Sequence, residues 1–259
     1  MKILIHPDAA RAAGAVADRI ADLLAARPGA VLGLATGGTM EPVYAALIDR
    51  AGQGRFPAAR FTSFNLDEYV GLGPDHPQSY HVYMRRHLFG PLGLPPGQAH
   101  LPRGDAPDLE AEAARYEAAI AAAGGIDLQL LGIGANGHIG FNEPSSSLVS
   151  RTRVKTLARK TVEDNRRFFG PGEPVPRHAL TMGIGTVMDA AEVVLLATGA
   201  AKAQAVAAMV EGPLSASCPA SILQMHAKAT LVCDRAAAAA LRMTEYYETV
   251  HPEGGAPQL

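Results

Sequence analysis

The chain has 259 residues, with 23 Lys and Arg against 25 Asp and Glu, a formal charge of −2. That length suits one α/β domain, taken as residues 1–259. A near-neutral balance, with a local basic excess only from Arg151 to Arg167, argues against a nucleic-acid partner. No window reaches the roughly 18 apolar residues of a membrane span.

The opening "MKILIHPDAA" is too briefly apolar for a signal peptide, and "KILIH" (2–6) reads as a strand. Asp8 is placed to cap a helix in which Val16, Ile20, Leu23 and Leu24 recur at helical spacing. "AVLGLATGG" (30–38) is a buried-strand run ending in glycines, and "MEPVYAALIDR" (40–50) a helix. "RFTSFNLDE" (60–68) reads as one strand, and "SYHVYMRRHLF" (79–89) as helical. Residues 108–125 form a helix between Asp108 and Gly124. Strands follow at 126–134 and 192–199, then a helix at 201–212 and a last strand at 229–234. The region 157–178, with Gly170, Pro171, Gly172, Pro174 and Pro176, shows little periodicity and is a candidate mobile lid. Cys218 and Cys233 lack C-x-x-C spacing and read as reduced core thiols of a cytoplasmic protein.

Strands and helices alternate, and the strands are continuously apolar. The expected fold is therefore α/β, a doubly wound, mostly parallel open sheet with helices on both faces. The unusual residues fall just after strands: Gly37-Gly38-Thr39, Asp67-Glu68, Gly134 to Glu143, and Gly199 to Lys202. In open α/β sheets the ligand lies beyond the carboxyl ends of the strands, so these positions point to one crevice.

"ATGGTMEP" is a strand, a Gly-Gly turn and a helix start, an arrangement that offers backbone N–H groups to a phosphate; no G-K-[ST] follows, so it is not a Walker loop. In "NLDEY" two adjacent carboxylates repel, and burial would raise the proton affinity of one, unless the pair is simply solvated. "GIGANGHIGFNEP" contains G-x-G-x-x-G, but Gly140 and Pro144 make the continuation a loop rather than the helix a dinucleotide site requires. The loop instead presents His138 and Glu143, an imidazole and a carboxylate able to orient it. His76, His81 and His87 match no zinc spacing, and no G-x-S-x-G is present.

Together "LATGGT" (34–39), "FNLDEYVGL" (64–72), "HPQSYH" (76–81), "GIGANGHIGFNEP" (132–144), "SRTRVKTL" (150–157), "ALTMGIGT" (179–186) and "LQMHAKA" (223–229) resemble the glucosamine-6-phosphate deaminase family, from about residue 31 to 235. The resemblance implies conversion of glucosamine 6-phosphate to fructose 6-phosphate and ammonia without a cofactor or metal. It implies Asp67 as the base, His138 in ring opening, Glu143 supporting His138, and phosphate contacts at Gly37, Gly38, Thr39, Arg167 and Lys202. Some family members have Asp where this chain has Asn136, which can orient His138 but not share a proton with it. The family also implies a homo-oligomer, a hexamer by resemblance. An allosteric site for N-acetylglucosamine 6-phosphate would fall at Ser146, Arg153, Lys155 and Tyr246, Arg153 and Lys155 facing one side of an extended segment. Two other readings stay open: a 6-phosphogluconolactonase-like hydrolase of the same fold, and a non-catalytic sugar-phosphate sensor.

Overall fold

The computed structural model describes residues 1–170 and 172–255. The strands are β1 (Lys2–His6), β2 (Val31–Leu34), β3 (Thr62–Asn65), β4 (Asp67–Tyr69), β5 (Ala99–His100), β6 (Leu128–Gly132), β7 (Arg153–Thr156), β8 (His178–Thr181), β9 (Val193–Ala197) and β10 (Ala229–Asp234). The helices are α1 (Ala9–Ala26), α2 (Glu41–Gly52), α3 (Tyr80–Met84), α4 (Gly90–Leu92), α5 (Leu109–Ala122), α6 (Arg159–Asn165), α7 (Ile184–Met188), α8 (Ala203–Glu211) and α9 (Thr244–Val250).

Seven strands form the expected parallel sheet, in the order β1-β10-β9-β6-β2-β3-β5. Every residue of β2 and β9 is buried, which requires cover on both faces. Helix α1 begins as its sequence dictates, Asp8 accepting the Arg11 N–H at 2.8 Å, and buries Val16, Ile20 and Leu24. The chain leaves β2 toward β3 on one side and β6 toward β9 on the other. The loops after β2 and β6 therefore flank the point where strand order reverses, the usual place for a ligand crevice.

The sequence reading needs correction at three places. The run 60–68 is two strands in two sheets. At Leu66 the chain passes between them: its N–H donates to Leu34 O at 2.9 Å, and its carbonyl accepts from Met182 N–H at 2.7 Å. The second sheet, antiparallel β4-β8-β7, was not expected from the apolar pattern. The helix expected over 79–89 starts at Tyr80, passes through a π-turn at Arg85–Phe89 and ends in α4. Finally, 157–178 carries α6 and a 3₁₀ turn at Arg166–Phe168; Pro171 lies outside the described residues, as do the last residues 256–259. Leu157, Phe169 and Val175 of this segment join Tyr69, Phe141 and Ala179 in a small second core. No helix among the described residues is long and apolar enough to cross a membrane. Cys218 and Cys233 are buried and unpaired, as read from their spacing.

Glu117 of α5 fastens the small sheet to the helical layer. Its carboxylate accepts the Thr152 N–H at 2.8 Å, the Thr152 and Thr186 hydroxyls, and the Arg151 guanidinium at 2.6 Å. Glu117→Ala strands these donors and should lower stability by about 2–4 kcal/mol, measured by urea unfolding. A change below about 0.5 kcal/mol would show that the network is dispensable.

Candidate active site

Loops after β2, β3, β6 and β9, with α6 and its 3₁₀ turn, enclose a cavity of about 670 Å³. Gly37, Gly38, Thr39, Asp67, His138, Arg167 and Lys202 all line it, so the residues expected from separate strand ends do converge.

One end of the cavity is built from backbone and two cations. Gly37 has φ 101°, which an L side chain rarely adopts, and its carbonyl accepts from Met40 N–H and the Tyr83 hydroxyl, each at 2.9 Å. No side chain caps the following α2, which leaves its first N–H groups for an anion. Opposite, Lys202 closes a 3₁₀ turn immediately before α8, as expected for a helix start. Its ammonium is half-buried; desolvation lowers its pKa, with Asp164 raising it and Arg167 lowering it. The Gly199 N–H that begins this turn is held by both oxygens of the buried Asp234 carboxylate, at 3.0 and 3.1 Å.

At the chemical end, Asp67 is 5 % exposed. Desolvation, reinforced by repulsion from Glu68, pushes its carboxyl up to about 8, against hydrogen bonding from Thr181 and the Phe141 backbone. The solvated reading of Asp67-Glu68 therefore fails: both side chains are buried. The loop of Gly134 to Glu143 contains no helix after its third glycine, so its glycines do not serve a dinucleotide. A Cβ on Gly134 would fall 2.2 Å from His138 Cε1, so the absence of a side chain there admits the imidazole. The same loop brings Gly140 against Asp67, leaving a Cβ only 3.3 Å from Oδ2.

Glu143 is the junction of the loop. Its Oε2 accepts from Asn136 Nδ2 at 2.8 Å and stands 3.4 Å from His138 Nδ1, slightly longer than a normal hydrogen bond. Its Oε1 accepts from Ala158 N–H at 3.2 Å and from the Thr161 hydroxyl. Burial acts to raise Glu143, but the neighbouring His138 and hydrogen bonds from Thr161 and Asn136 outweigh it and hold the carboxyl down at about 2. Asn136 does not grip the imidazole ring. It accepts the His138 backbone N–H at 3.2 Å and donates to Glu143 instead, a bond that an ionised Asp in its place could not offer.

The expected effector residues only partly assemble. Ser146 is buried with no partner for its hydroxyl, and Arg153 and Lys155 share one side of β7 as expected. Arg153 already has work: its Nη1 donates to Asn142 Oδ1 at 2.9 Å, and Asn142 Nδ2 donates to Met182 O at 2.8 Å, bracing the loop against the small sheet. Tyr246 lies elsewhere, on α9 against edge strand β1, exposed and beside Tyr247. The C-terminal helix docks on β1 rather than on the small sheet, which separates Tyr246 from the other three. Sequence reasoning assigned no role to Thr161, Asn142 or Tyr80, and noted Glu68 only as the neighbour of Asp67.

A family model described as glucosamine-6-phosphate isomerases/6-phosphogluconolactonase matches residues 8–232, and the chain belongs to that family. A glucosamine-6-phosphate deaminase of Arthrobacter sp. (strain FB24) is 53 % identical over 247 residues, covering 95 % of each chain. One of Streptomyces coelicolor (strain ATCC BAA-471 / A3(2) / M145) is 51 % identical over 248 residues, again covering 95 % of each. Among solved structures, a monomeric glucosamine-6-phosphate deaminase superposes with a TM-score of 0.90 at 44 % identity, covering 93 % of this chain and 100 % of that one. A 6-phosphogluconolactonase from Trypanosoma brucei shares the fold, with a TM-score of 0.71 at 20 % identity over 92 % of this chain and 97 % of that one.

Gly134→Ala should displace the His138 ring and lower kcat at least about tenfold, with a folded protein by circular dichroism. Wild-type turnover in that variant would show that the imidazole position is not set by this contact.

Proposed function

We propose that the protein converts glucosamine 6-phosphate and water to fructose 6-phosphate and ammonia, with Asp67, His138 and the Glu143–Asn136 pair as its proton-handling groups. The observation that carries the reading is the cavity itself, which joins a proton-hungry carboxyl, an imidazole backed by an ionised carboxylate, and a two-cation anion site. Relatives at about half identity that are named deaminases support it.

In this reading the phosphate binds at Gly37 to Thr39, Arg167 and Lys202 and fixes the sugar. His138 moves a proton between the ring oxygen and the anomeric hydroxyl, opening the pyranose to the aldehyde. Asp67 takes the C2 proton, giving an enolamine, and returns a proton to C1, giving the C2 ketimine. Water adds at C2, the amine leaves as ammonia, and the ketone of fructose 6-phosphate remains. Net water consumption and C–N cleavage place the reaction among hydrolytic deaminations, though its central step is an aldose–ketose isomerisation. A carboxyl near 8 suits a group that must both take and return a proton around neutral pH. No step calls for a cofactor. The segment 157–178 acts as a lid in this reading, because Arg167 belongs to the 3₁₀ turn that follows α6. Unpaired buried thiols fit a cytoplasmic setting.

The lactonase reading has weaker support, because solved lactonases share only the fold at 20 % identity. A coupled assay separates the two. Ammonia and fructose 6-phosphate should appear in equal amounts, and kcat/KM should rise with pH as Asp67 loses its proton near 8. Asp67→Asn should cost at least about 10² in kcat. Lactone hydrolysis without ammonia release would replace the reading.

We also propose regulation by N-acetylglucosamine 6-phosphate in an oligomer, a reading supported by the buried, unpartnered Ser146 hydroxyl and by two cations that share one side of β7. The distant Tyr246 and the monomeric state of the similar enzyme count against it. The expected outcome is a sigmoidal saturation curve made hyperbolic by the effector, with a mass above one chain by light scattering. A monomer with hyperbolic kinetics unchanged by the effector would reject it.

A further inference from the structure

Glu68 is fully buried, one residue from Asp67 on β4, yet the reaction as written gives it nothing to do. Its surroundings are specific. Oε1 accepts the N–H groups of Tyr69 at 2.9 Å and Tyr80 at 3.1 Å; Oε2 accepts the His81 N–H at 3.2 Å and lies 2.9 Å from His81 Nδ1. The loop at Gly104 closes over its stem so tightly that a Cβ there would lie 3.2 Å from Glu68 Cγ. Four donors thus converge on the side chain, and little water lies between it and Asp67 to screen one from the other. Tyr80 lines the cavity, stacks on Phe141 of the catalytic loop at a ring-centroid distance of 6.2 Å, and meets the Tyr69 hydroxyl at 3.3 Å.

We infer that Glu68 is a positioning residue for the base: its buried charge makes Asp67 a stronger proton acceptor, and its hydrogen bonds hold Tyr80 as the wall of the cavity. This rests on the deaminase reading and deepens it. Repulsion from Glu68 is the second cause of the raised Asp67 carboxyl, after desolvation. The other groups facing this pair are few. His81 and Tyr80 come from α3, Thr181 from β8, and the Tyr116 hydroxyl reaches in from α5. Asp105, paired with Arg103 at 2.8 Å, faces His81 from the loop before α5. None of these places a permanent cation against Asp67, so Glu68 acts on it uncompensated unless His81 is protonated.

Two variants test the charge from opposite ends. Glu68→Gln keeps the volume and removes the charge; His81→Lys, at the partly exposed outer edge, sets a fixed cation against Glu68 without touching the buried side chain. In the ammonia assay the acid limb of kcat/KM, near 8 in the wild type, should move to lower pH by roughly one unit in Glu68→Gln and in the same direction in His81→Lys. Turnover of Glu68→Gln should also fall several-fold as Tyr80 loosens. An unmoved limb in both variants, whatever the loss of rate, leaves Glu68 a structural residue and overturns the inference. The substrate-free protein gives a reading independent of activity: the Asp67 carboxyl, followed by ¹³C NMR in aspartate-labelled protein and assigned by its loss in Asp67→Asn, should titrate lower in both variants. A wild type that releases no ammonia rejects the deaminase reading, whereas an Asp67 carboxyl titrating alike in all three proteins rejects the role of Glu68.

Discussion

The passage of the chain through Leu66 is the constraint on which the site depends. One residue separates a parallel strand from an antiparallel one, and the backbone of Leu66 is bonded to both sheets. A strand presents successive side chains to opposite faces, so a strand that changes sheets can carry two adjacent carboxylates into separate pockets. Asp67 faces the cavity and the catalytic loop, while Glu68 faces α3. A single continuous strand ending at residue 68 would have left both at a solvated sheet end, and Asp67 would have lost the burial that raises its carboxyl.

From that placement the electrostatics follow. Asp67 is short of donors and close to a like charge, and is driven up to about 8; Glu143 collects Asn136, Thr161, Ala158 and the neighbourhood of His138, and is driven down to about 2. Two carboxyls, one within the loop of Gly134 to Glu143 and one packed against it, thereby differ in proton affinity, and the proposed function gives them different work. Burial acts on both in the same direction; the number of hydrogen bonds decides the outcome.

The large sheet and the cavity were legible because their signals are local. Apolar runs mark β2, β6, β9 and β10, and glycines or charged residues directly after them mark the loops. The small sheet was not legible: "DEY", "RVKT" and "HALT" are short and largely polar, and the pairing of β4 with β8 joins residues more than one hundred positions apart, as in Asp67 and Thr181. Thr161 was hidden for the same reason. Its hydroxyl matters only because α6 lands on Glu143, and no feature of "ARKTVEDN" announces that contact. Tyr246 lies on α9, which packs on β1, and resemblance aligns positions but does not say where a terminal helix docks.

Helix α6 and the 3₁₀ turn after it reach both ends of the cavity. Arg167 lines the cavity from the 3₁₀ turn, and earlier in the same segment Thr161 bonds the carboxylate that stands behind His138. An anion drawn to Arg167 and Lys202 therefore acts on a segment whose position also sets the imidazole. Binding energy from a non-reacting part of the substrate is useful to catalysis when it is realised as orientation at the reacting centre. Here the route is short and specific, from guanidinium to helix, to threonine hydroxyl, to carboxylate, to imidazole. Under the proposed function, a phosphate bound there would be coupled to the proton chemistry by this chain of contacts rather than acting as a tether alone.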